Sequence, residues 1–426
     1  MLEINIIRDK KDFVIERLNV KNVQNAEEKI ENVINLDSER RQLQKENDDL
    51  KALSNQLAKQ IGNLIKDGKT SEVEQIKQQT VDCKQKEKQY QEKLSAVEKE
   101  LNELLLSLPN LPHISVAKGK TSEDNVIEKQ WGKIPDLTGN ALPHWDLCDK
   151  YDIIDFNLGN KITGAGFPLY KGKGAKLQRA LIGFFLDMAT KNGFLEVQPP
   201  LMVNEASALA TGQLPDKEGQ MYHITLDNLY MIPTAEVPVT NIFRDVILQE
   251  NDFPLKRCAY SQCFRREAGS YGKDVRGLNR LHQFDKVEIV VIEHPERSYE
   301  QLEFMKQHVA TLLESLELPY RILRLCGGDM SFTSALTFDF EVFSAAQKRW
   351  LEVSSVSNFE TFQANRMKLR FKNANNKTQL AHTLNGSALA LPRIVAALLE
   401  NNQTDNGIKI PKILQNYCGF EIIDKA

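Results

Sequence analysis

Apolar residues recur at seven-residue intervals in the first part of the chain. Between residues 26 and 66 there is no proline, and the companion positions of the repeat are partly polar, with Asn47 among them. This spacing predicts a long coiled-coil helix, because a heptad pattern keeps one apolar seam on one side of the helix. The leucines that carry the pattern are Leu36, Leu43, Leu50, Leu57 and Leu64.

A second helix is predicted from about residue 70 to residue 106, directly after the turn sequence Lys-Asp-Gly-Lys at 66–69. Two helices of similar length joined by a tight turn form an antiparallel hairpin, here on the order of 50–60 Å long. Such a hairpin can be a dimerisation coil or an arm that reaches a distant partner. The arm is favoured, since the two helices satisfy each other's seam.

The sequence LPNLP at 108–112 ends the second helix, because proline cannot continue a helix and restricts the residue before it. We therefore expect a domain boundary near residue 112, with an N-terminal domain over 1–112 and a larger domain over 113–426. The stretch 113–150 is rich in proline, glycine and aspartate, and it is predicted to be a loop-rich connection.

The larger domain mixes helical and strand patterns. Consecutive strands joined by hairpins favour an α+β fold, in which helices flank an antiparallel sheet. Helices are predicted near 175–192, 298–316 and 388–401, and strands near 194–198, 229–233, 320–325, 336–343 and 350–356.

A polar hairpin, FRREAGSYGKDVRGLNRLHQFDKVE, occupies residues 264–288 of this domain. Its two ends resemble strands, and we expect Arg265 and Glu267 at alternate strand positions, with both side chains on one face of a sheet. The pair could be a solvated surface ion pair or the wall of a site for an anionic substrate. The tip, 269–277 with Lys273 and Arg276, is predicted to be a mobile loop.

Composition limits the function classes. The 426 residues include 55 Lys and Arg and 58 Asp and Glu, a formal net charge of −3, so any basic patch that binds nucleic acid must be local. No apolar run is long enough to span a bilayer, and no signal or transit pattern is recognisable. Six scattered cysteines without a C-x-x-C pair indicate reduced thiols and a cytoplasmic location. The cysteines and histidines form no cluster with the spacing of metal ligands, so no zinc site is expected.

Several stretches resemble the class II aminoacyl-tRNA synthetases, and most closely the seryl-tRNA synthetase family. The resemblance covers essentially the whole chain, including the N-terminal hairpin, and it favours the bacterial type over the zinc-dependent archaeal type. It implies activation of L-serine with ATP, then transfer of serine to tRNA(Ser), with selenocysteine tRNA as a further candidate. The matching stretches are motif 1 at 194–204, motif 2 at about 260–292, motif 3 at 382–401, and the segments 211–215, 231–241 and 352–371.

The resemblance implies an ATP site with three catalytic residues, Arg265, Glu352 and Arg393. Arg265 would bind the α-phosphate and the amino-acid carboxylate, and Arg393 the γ-phosphate, because a guanidinium donates paired hydrogen bonds to such oxygens. Glu352 and Ser355 would hold Mg²⁺ with ATP, since Mg²⁺ prefers hard oxygen ligands. The full ATP set is Arg265, Arg266, Glu267, Arg280, Leu281, Phe284, Glu352, Val353, Ser354, Ser355 and Arg393.

A serine pocket is implied in the same way. Two carboxylates suit the ammonium and the hydroxyl of serine, and the sequence leaves open which of Glu236 and Glu288 binds which group. The pocket set is Thr234, Ala235, Glu236, Arg265, Glu288, Thr383, Asn385 and Ser387.

The resemblance also implies a homodimer that binds tRNA(Ser) through the helical arm and needs no membrane. Departures from the family pattern occur at 164–167, Val356 and Asn365, and none of them removes a residue assigned to ATP or serine. Two alternatives are a synthetase-like enzyme that loads a carrier protein and a catalytically silent RNA-binding protein. The presence of the three catalytic residues and of the arm argues against both.

Overall fold

The computed structural model describes residues 1–137, 141–216, 218–267 and 276–425, without the side chains of residues 70 and 71. The chain divides into two units. The first comprises Met1–Asn19 and Val23–Pro109, and the second comprises Val20–Asn22 and Asn110–Ala426. No helix in the described ranges is long and apolar enough to cross a lipid bilayer.

The first unit is helical, and its two long helices confirm the predicted hairpin. Leu43, Leu94 and Val97 bury each other between the long helices. The seam is also polar as expected: Asn47 is fully buried and its Nδ2 donates to Gln91 Oε1 at 3.1 Å. In chain order the helices are α1 (Ile4–Asp9), α2 (Lys11–Val20), α3 (Ala26–Lys66) and α4 (Thr70–Ser107).

The second unit contains short and long strands separated by helices. The strands are β1 (Val126–Trp131), β2 (Ile154–Asp155), β3 (Leu169–Tyr170), β4 (Leu195–Glu196), β5 (Met202–Asn204), β6 (His223–Ile224), β7 (Leu229–Met231), β8 (Ile247–Gln249), β9 (Leu255–Phe264), β10 (Gln283–Glu293), β11 (Tyr320–Arg324), β12 (Leu336–Ser344), β13 (Arg349–Asn358), β14 (Arg370–Lys372), β15 (Thr378–Leu380), β16 (His382–Ala390), β17 (Gln403–Thr404), β18 (Gly407–Lys409) and β19 (Ile422–Ile423). The helices are α5 (His144–Tyr151), α6 (Phe156–Ile162), α7 (Gly172–Lys191), α8 (Glu205–Thr211), α9 (Glu236–Asn241), α10 (Ser298–Ser315), α11 (Phe362–Met367), α12 (Leu391–Asn401) and α13 (Lys412–Cys418).

Eight strands form the main sheet, in the order β1-β11-β12-β13-β16-β10-β9-β4. All neighbours in it are antiparallel except β4, which runs parallel to β9. Helices α7, α10 and α12 pack on the sheet and share its large apolar core. This arrangement confirms the predicted α+β class with an antiparallel sheet flanked by helices.

The expectation for 113–150 was wrong in part, because this stretch contains the edge strand β1 and the helix α5. Five of the six β1 residues are exposed, and the last is partly exposed. An edge strand that buries neither face has no apolar alternation, so the pattern that reveals other strands was missing.

The boundary between strand and helix near residue 390 also differs from the expectation. Residues 388–390 continue strand β16, where Ala390 pairs with Lys286, and the helix α12 begins only at Leu391. Pro392 explains the start, because proline fits the first turn of a helix, where its missing N–H is not needed.

The buried amide in the arm yields a stability prediction. Asn47 Oδ1 is buried and accepts no hydrogen bond from the described residues. We expect Asn47→Leu to stabilise the hairpin by about 1–2 kcal/mol, because it removes an unsatisfied polar atom and adds an apolar seam residue. Hydrogen exchange of the α3 and α4 amides in the full chain should slow accordingly. The exposed Lys51→Leu is the matched control, and faster exchange in Asn47→Leu would contradict the prediction.

Candidate active site

The centre of the site is built by two paired strands and one short helix. Glu288 lies on β10 opposite Ser387 of β16, and Asn385 is two residues earlier on β16, so both β16 side chains share a face. Glu236 is the first residue of α9. The structure thus brings together both carboxylates of the predicted serine pocket.

One amide connects these two carboxylates. Asn385 Nδ2 donates to Glu236 Oε2 at 2.8 Å and to Glu288 Oε1 at 3.0 Å. The hydroxyls of Ser387 and Thr234 each lie 3.4 Å from Glu288 Oε2. All five side chains are largely removed from solvent, so the pocket is a polar site enclosed by the sheet and α9.

Lys286 belongs to the same site and was missed by the sequence analysis. Its Nζ lies 2.5 Å from Glu288 Oε2 and donates to Thr234 Oγ1 at 2.7 Å. The side chains of Lys286 and Glu288 are only 7% and 1% exposed, so this is a buried ion pair. A lysine two residues before a glutamate on a buried strand was the available signal, because alternate residues face the same side.

The two carboxylates differ in their electrostatic environment. Burial, and then the charge of Glu288, raise the pKa of Glu236 to about 7. The hydrogen bond from Gln363 and the charges of Lys286 and Arg265 act in the opposite direction. Burial and a nearby like charge oppose the ionisation of a carboxyl, so a bound cation would stabilise the charged form of Glu236.

Arg265 lies beside this pocket, but not in the predicted conformation. Strand β9 ends at Phe264, and the N–H of Arg266 donates to Gln220 O at 2.9 Å instead of to the neighbouring strand. Glu267 then adopts a left-handed φ of 50°. The expectation that Arg265 and Glu267 alternate along a strand was therefore wrong.

Arg265 and Glu267 do not form the surface ion pair that was one of the two alternatives, and each makes other contacts. Arg265 Nε donates to Pro233 O at 3.4 Å, and its guanidinium lies 5.2 Å from the centre of the half-buried Phe284 ring. Glu267 instead pairs with Arg280, at 2.5 Å between Oε2 and Nε. The structure therefore leaves the Arg265 guanidinium over Phe284 and bonded to Pro233, the residue that precedes Thr234 of the pocket.

A second group of predicted residues gathers on β13 and α12. Arg393 Nη1 donates to the backbone oxygen of Glu352 at 2.7 Å and lies 3.8 Å from its Oε2. Arg393 Nε donates to Asn279 O at 3.1 Å. Ser355 Oγ donates to Glu352 Oε1 at 3.4 Å, so all three predicted residues meet at one place.

A β-bulge explains how Glu352 and Ser355 share a face although they are three residues apart. Ser354 pairs with Phe340 and Glu352 with the next residue, Glu341, so Val353 has no partner in the ladder. One extra residue shifts the alternation of the strand by one position. The polar side chains 352 and 355 then lie on the same side.

Asp339 lies opposite Ser355 on β12 and was also missed. Its Oδ1 is buried and has no hydrogen-bond partner among the described residues. Burial, and then the charge of Glu352, hold the pKa of this carboxyl well above its usual range. A buried acidic oxygen without a donor is the kind of group that a cation would stabilise.

Other predicted residues do not present their side chains to either group. Ala235, Leu281 and Val353 are buried in apolar clusters, so only their backbones could contact a ligand. Ser354 Oγ donates to Ser387 O at 2.6 Å, and Thr383 Oγ1 donates to Gln363 Oε1 at 2.7 Å.

The predicted mobile tip lies mostly outside the described residues, including Gly269, Gly272 and Lys273. Arg276 is described, and its guanidinium lies 4.9 Å from the centre of the Trp145 ring and 3.7 Å from Asp146. Among the described residues, no group of three or more His, Cys, Asp or Glu side chains is arranged to hold a metal ion.

The chain is similar to known proteins along its whole length. A family model described as the seryl-tRNA synthetase N-terminal domain matches residues 1–112, and one described as the tRNA synthetase class II core domain (G, H, P, S and T) matches residues 222–402. The serine–tRNA ligase of Salinibacter ruber is 49% identical over 422 residues, covering 99% of this chain and 98% of that protein. The serine–tRNA ligase of Chlorobaculum parvum is 45% identical over 433 residues, covering 100% of both.

A solved structure is similar over the whole chain as well. The crystal structure of seryl-tRNA synthetase from Pyrococcus horikoshii complexed with ATP has a TM-score of 0.93 and 32% identity, covering 100% of both chains. Full-length identity near one half, a matching fold and the grouped site residues lead to the same conclusion. The chain belongs to the seryl-tRNA synthetase family of class II aminoacyl-tRNA synthetases.

Proposed function

We propose that this chain activates L-serine with ATP and then attaches the serine to tRNA(Ser). The observation that carries the proposal is the buried pair Glu236 and Glu288, joined by Asn385 and lying beside Arg265. Two carboxylates and an amide match the ammonium and hydroxyl of serine, and a guanidinium matches its carboxylate. A pocket built to bond a hydroxyl discriminates strongly against alanine, since its own polar groups would be left unpaired.

The first step needs positioning rather than a side-chain nucleophile. A serine carboxylate oxygen attacks the α-phosphorus of ATP, the bond to the β-phosphate oxygen breaks, and pyrophosphate leaves with the electron pair. Arg265 neutralises the charge at the α-phosphate, and Arg393 that of the leaving group. The product is seryl-adenylate, so no protein group has to give or take a proton in this step.

The second step transfers the seryl group to RNA. A hydroxyl of the terminal adenosine attacks the carbonyl carbon of the adenylate and passes its proton to a phosphate oxygen of the AMP, which departs with the electrons of the acyl–phosphate bond. The Glu236 and Glu288 pocket holds the ammonium and the side-chain hydroxyl throughout, so the acyl carbon stays in place between the two steps.

Glu352 and Ser355 fit a magnesium ion bound with ATP. Their carboxylate and hydroxyl lie 3.4 Å apart on one face of β13, and Asp339 adds a buried carboxyl whose Oδ1 accepts no hydrogen bond from the described residues. Such hard oxygens are what Mg²⁺ prefers, usually together with phosphate oxygens and water. When bound, Mg²⁺ would neutralise part of the triphosphate charge.

The arm supplies the proposed RNA contact. Lys45 and Lys59 are exposed on α3, and Arg41 is half-exposed while pairing with Asp37 at 3.2 Å. With a net charge of −3, the chain would bind RNA through such local cations and through shape rather than through overall charge.

A homodimer and a cytoplasmic location complete the proposal. Motif 1 exposes large apolar side chains: Leu195 is 57% and Met202 47% exposed, and exposed apolar patches mark interfaces. All six cysteines lie among the described residues, are buried and form no disulfide, which supports a reducing compartment.

Neither alternative function has an observation of its own in its favour. Arg265, Glu352 and Arg393 are present and lie at the site, whereas a catalytically silent relative would be expected to lose them. The helical hairpin is present, whereas a carrier-protein loader would be expected to lack the arm.

Serine-dependent exchange of pyrophosphate into ATP, followed by charging of tRNA(Ser), tests the proposal. We expect exchange with serine and not with alanine, and charging of tRNA(Ser) in the same preparation. Exchange with no amino acid would contradict the enzymatic proposal, and exchange without charging would favour the carrier-protein alternative.

Arg393→Ala should lower exchange by about 10²–10³-fold, because it removes a cation from the leaving-group side of the reaction. The fold should persist, since the Arg393 side chain is 35% exposed at the start of a helix whose other face is buried. Circular dichroism checks the fold, and the exposed Arg179→Ala on α7 is the matched control. Near-normal exchange in Arg393→Ala would overturn its phosphate role.

Removal of residues 32–103, with a short glycine–serine link in their place, should leave exchange unchanged and lower charging on the order of 100-fold. The reason is that α3 and α4 pack mainly on each other and carry none of the residues proposed for serine or ATP. Initial rates of exchange and charging measured side by side provide the check. Full charging after the deletion would refute the RNA role of the arm.

A further inference from the structure

Gln363, the second residue of α11, lies directly behind the proposed serine pocket. It is 1% exposed, and its carboxamide sits between Glu236 and Thr383. Its Nε2 donates to Glu236 Oε1 at 2.7 Å and to Thr211 O at 3.3 Å, while its Oε1 accepts from Thr383 Oγ1 at 2.7 Å. Every polar atom of the side chain is therefore used.

The direction of the carboxamide follows from its neighbours. The backbone oxygen of Thr211 can only accept, and an ionised Glu236 can only accept, so both require the NH₂ end of Gln363. The Thr383 hydroxyl can donate and lies at the opposite end. Reversing the amide would place an oxygen against two acceptors in a buried site, which is unfavourable.

The two pocket carboxylates are supported differently. Glu236 accepts from Gln363 on Oε1 and from Asn385 on Oε2, and both donors are neutral amides. Glu288, in contrast, has the Lys286 ammonium at 2.5 Å. Neutral donors orient a carboxylate without placing a positive charge in direct contact with it, so a cationic group of the substrate can supply that contact to Glu236.

We propose that Gln363 is a positioning residue for serine: it holds Glu236 in the orientation that binds the amino acid, and Thr383 sets the direction of its carboxamide. Gln363 acts through Glu236 rather than by touching the substrate. This inference rests on the proposed function, because it assigns Glu236 to the serine pocket.

The pH dependence of serine binding distinguishes this role from a purely structural one. The charged groups that act on Glu236 are Glu288, Lys286 and Arg265, and its neutral donors are Gln363 and Asn385. Its pKa is raised to about 7 and the bond from Gln363 opposes that shift. Removal of this donor raises the pKa further, so the ionised form needed for binding is reached only at higher pH.

The test compares Gln363→Met with the wild type in serine-dependent pyrophosphate exchange. We expect kcat/KM for serine to fall on the order of 10–100-fold, KM for ATP to change little, and the acid limb of kcat/KM for serine to move to higher pH. Gln301→Met, at another buried glutamine on α10, is the control and should leave these parameters unchanged.

A second pair of variants tests the direction of the amide. Thr383→Val removes the hydroxyl and should lower kcat/KM for serine by a smaller factor than Gln363→Met does. Thr383→Ser retains the hydroxyl, and its kcat/KM for serine should lie closer to the wild-type value. This pair decides the question if Gln363→Met does not fold.

Three outcomes are separable. A wild type without serine-dependent exchange refutes the proposed function itself. An active wild type with an unchanged serine KM and pH profile in folded Gln363→Met overturns the inference. Equal losses for serine and ATP, without a shift of the acid limb, also overturn it, because they indicate a structural role.

Discussion

Two carboxylates buried in one pocket are the constraint around which the site is arranged. Like charges at short range oppose each other's ionisation, and burial removes the water that would screen them. The Asn385 amide, which donates to both, and the Lys286 ammonium on Glu288 offset this cost. The elements that meet at the pocket therefore have to hold donors as accurately as they hold the acids, and this explains why so many of its polar side chains are buried.

The groups proposed for ATP are arranged by irregular backbone. A bulge in β13 turns Glu352 and Ser355 to the same face, and the late start of α12 places Arg393 against Glu352. The end of β9 at Phe264 frees the following arginine from the strand alternation and lets its guanidinium lie over Phe284. The paired strands β10 and β16 carry groups proposed for serine, whereas a bulge, a strand end and a late helix start arrange the groups proposed for ATP.

The sequence alone predicted the elements whose cause is local. The heptads and the absence of proline determine α3, the Asp-Gly turn determines the break, and both helix bounds agree with the structure within one residue. Alternating apolar residues predicted β12 within one residue, and the strands predicted at 320–325 and 350–356 agree with β11 and β13 within two residues. The edge strand β1 was not predicted, because it buries neither face and therefore has no periodic apolar pattern.

At the site, the sequence determined which residue types are present, and the motifs predicted roles for both carboxylates, Asn385, Glu352 and Arg393. Asp339 and Gln363 became visible only in the tertiary structure, because each faces a partner that is distant in sequence. The bond of Lys286 to Thr234 was hidden for the same reason, although its spacing from Glu288 was visible in the sequence. The tertiary structure likewise decides that Glu267 pairs with Arg280 and not with Arg265. Local patterns specify helices, strands and chemical groups, whereas strand register and long-range hydrogen bonds decide which of those groups meet.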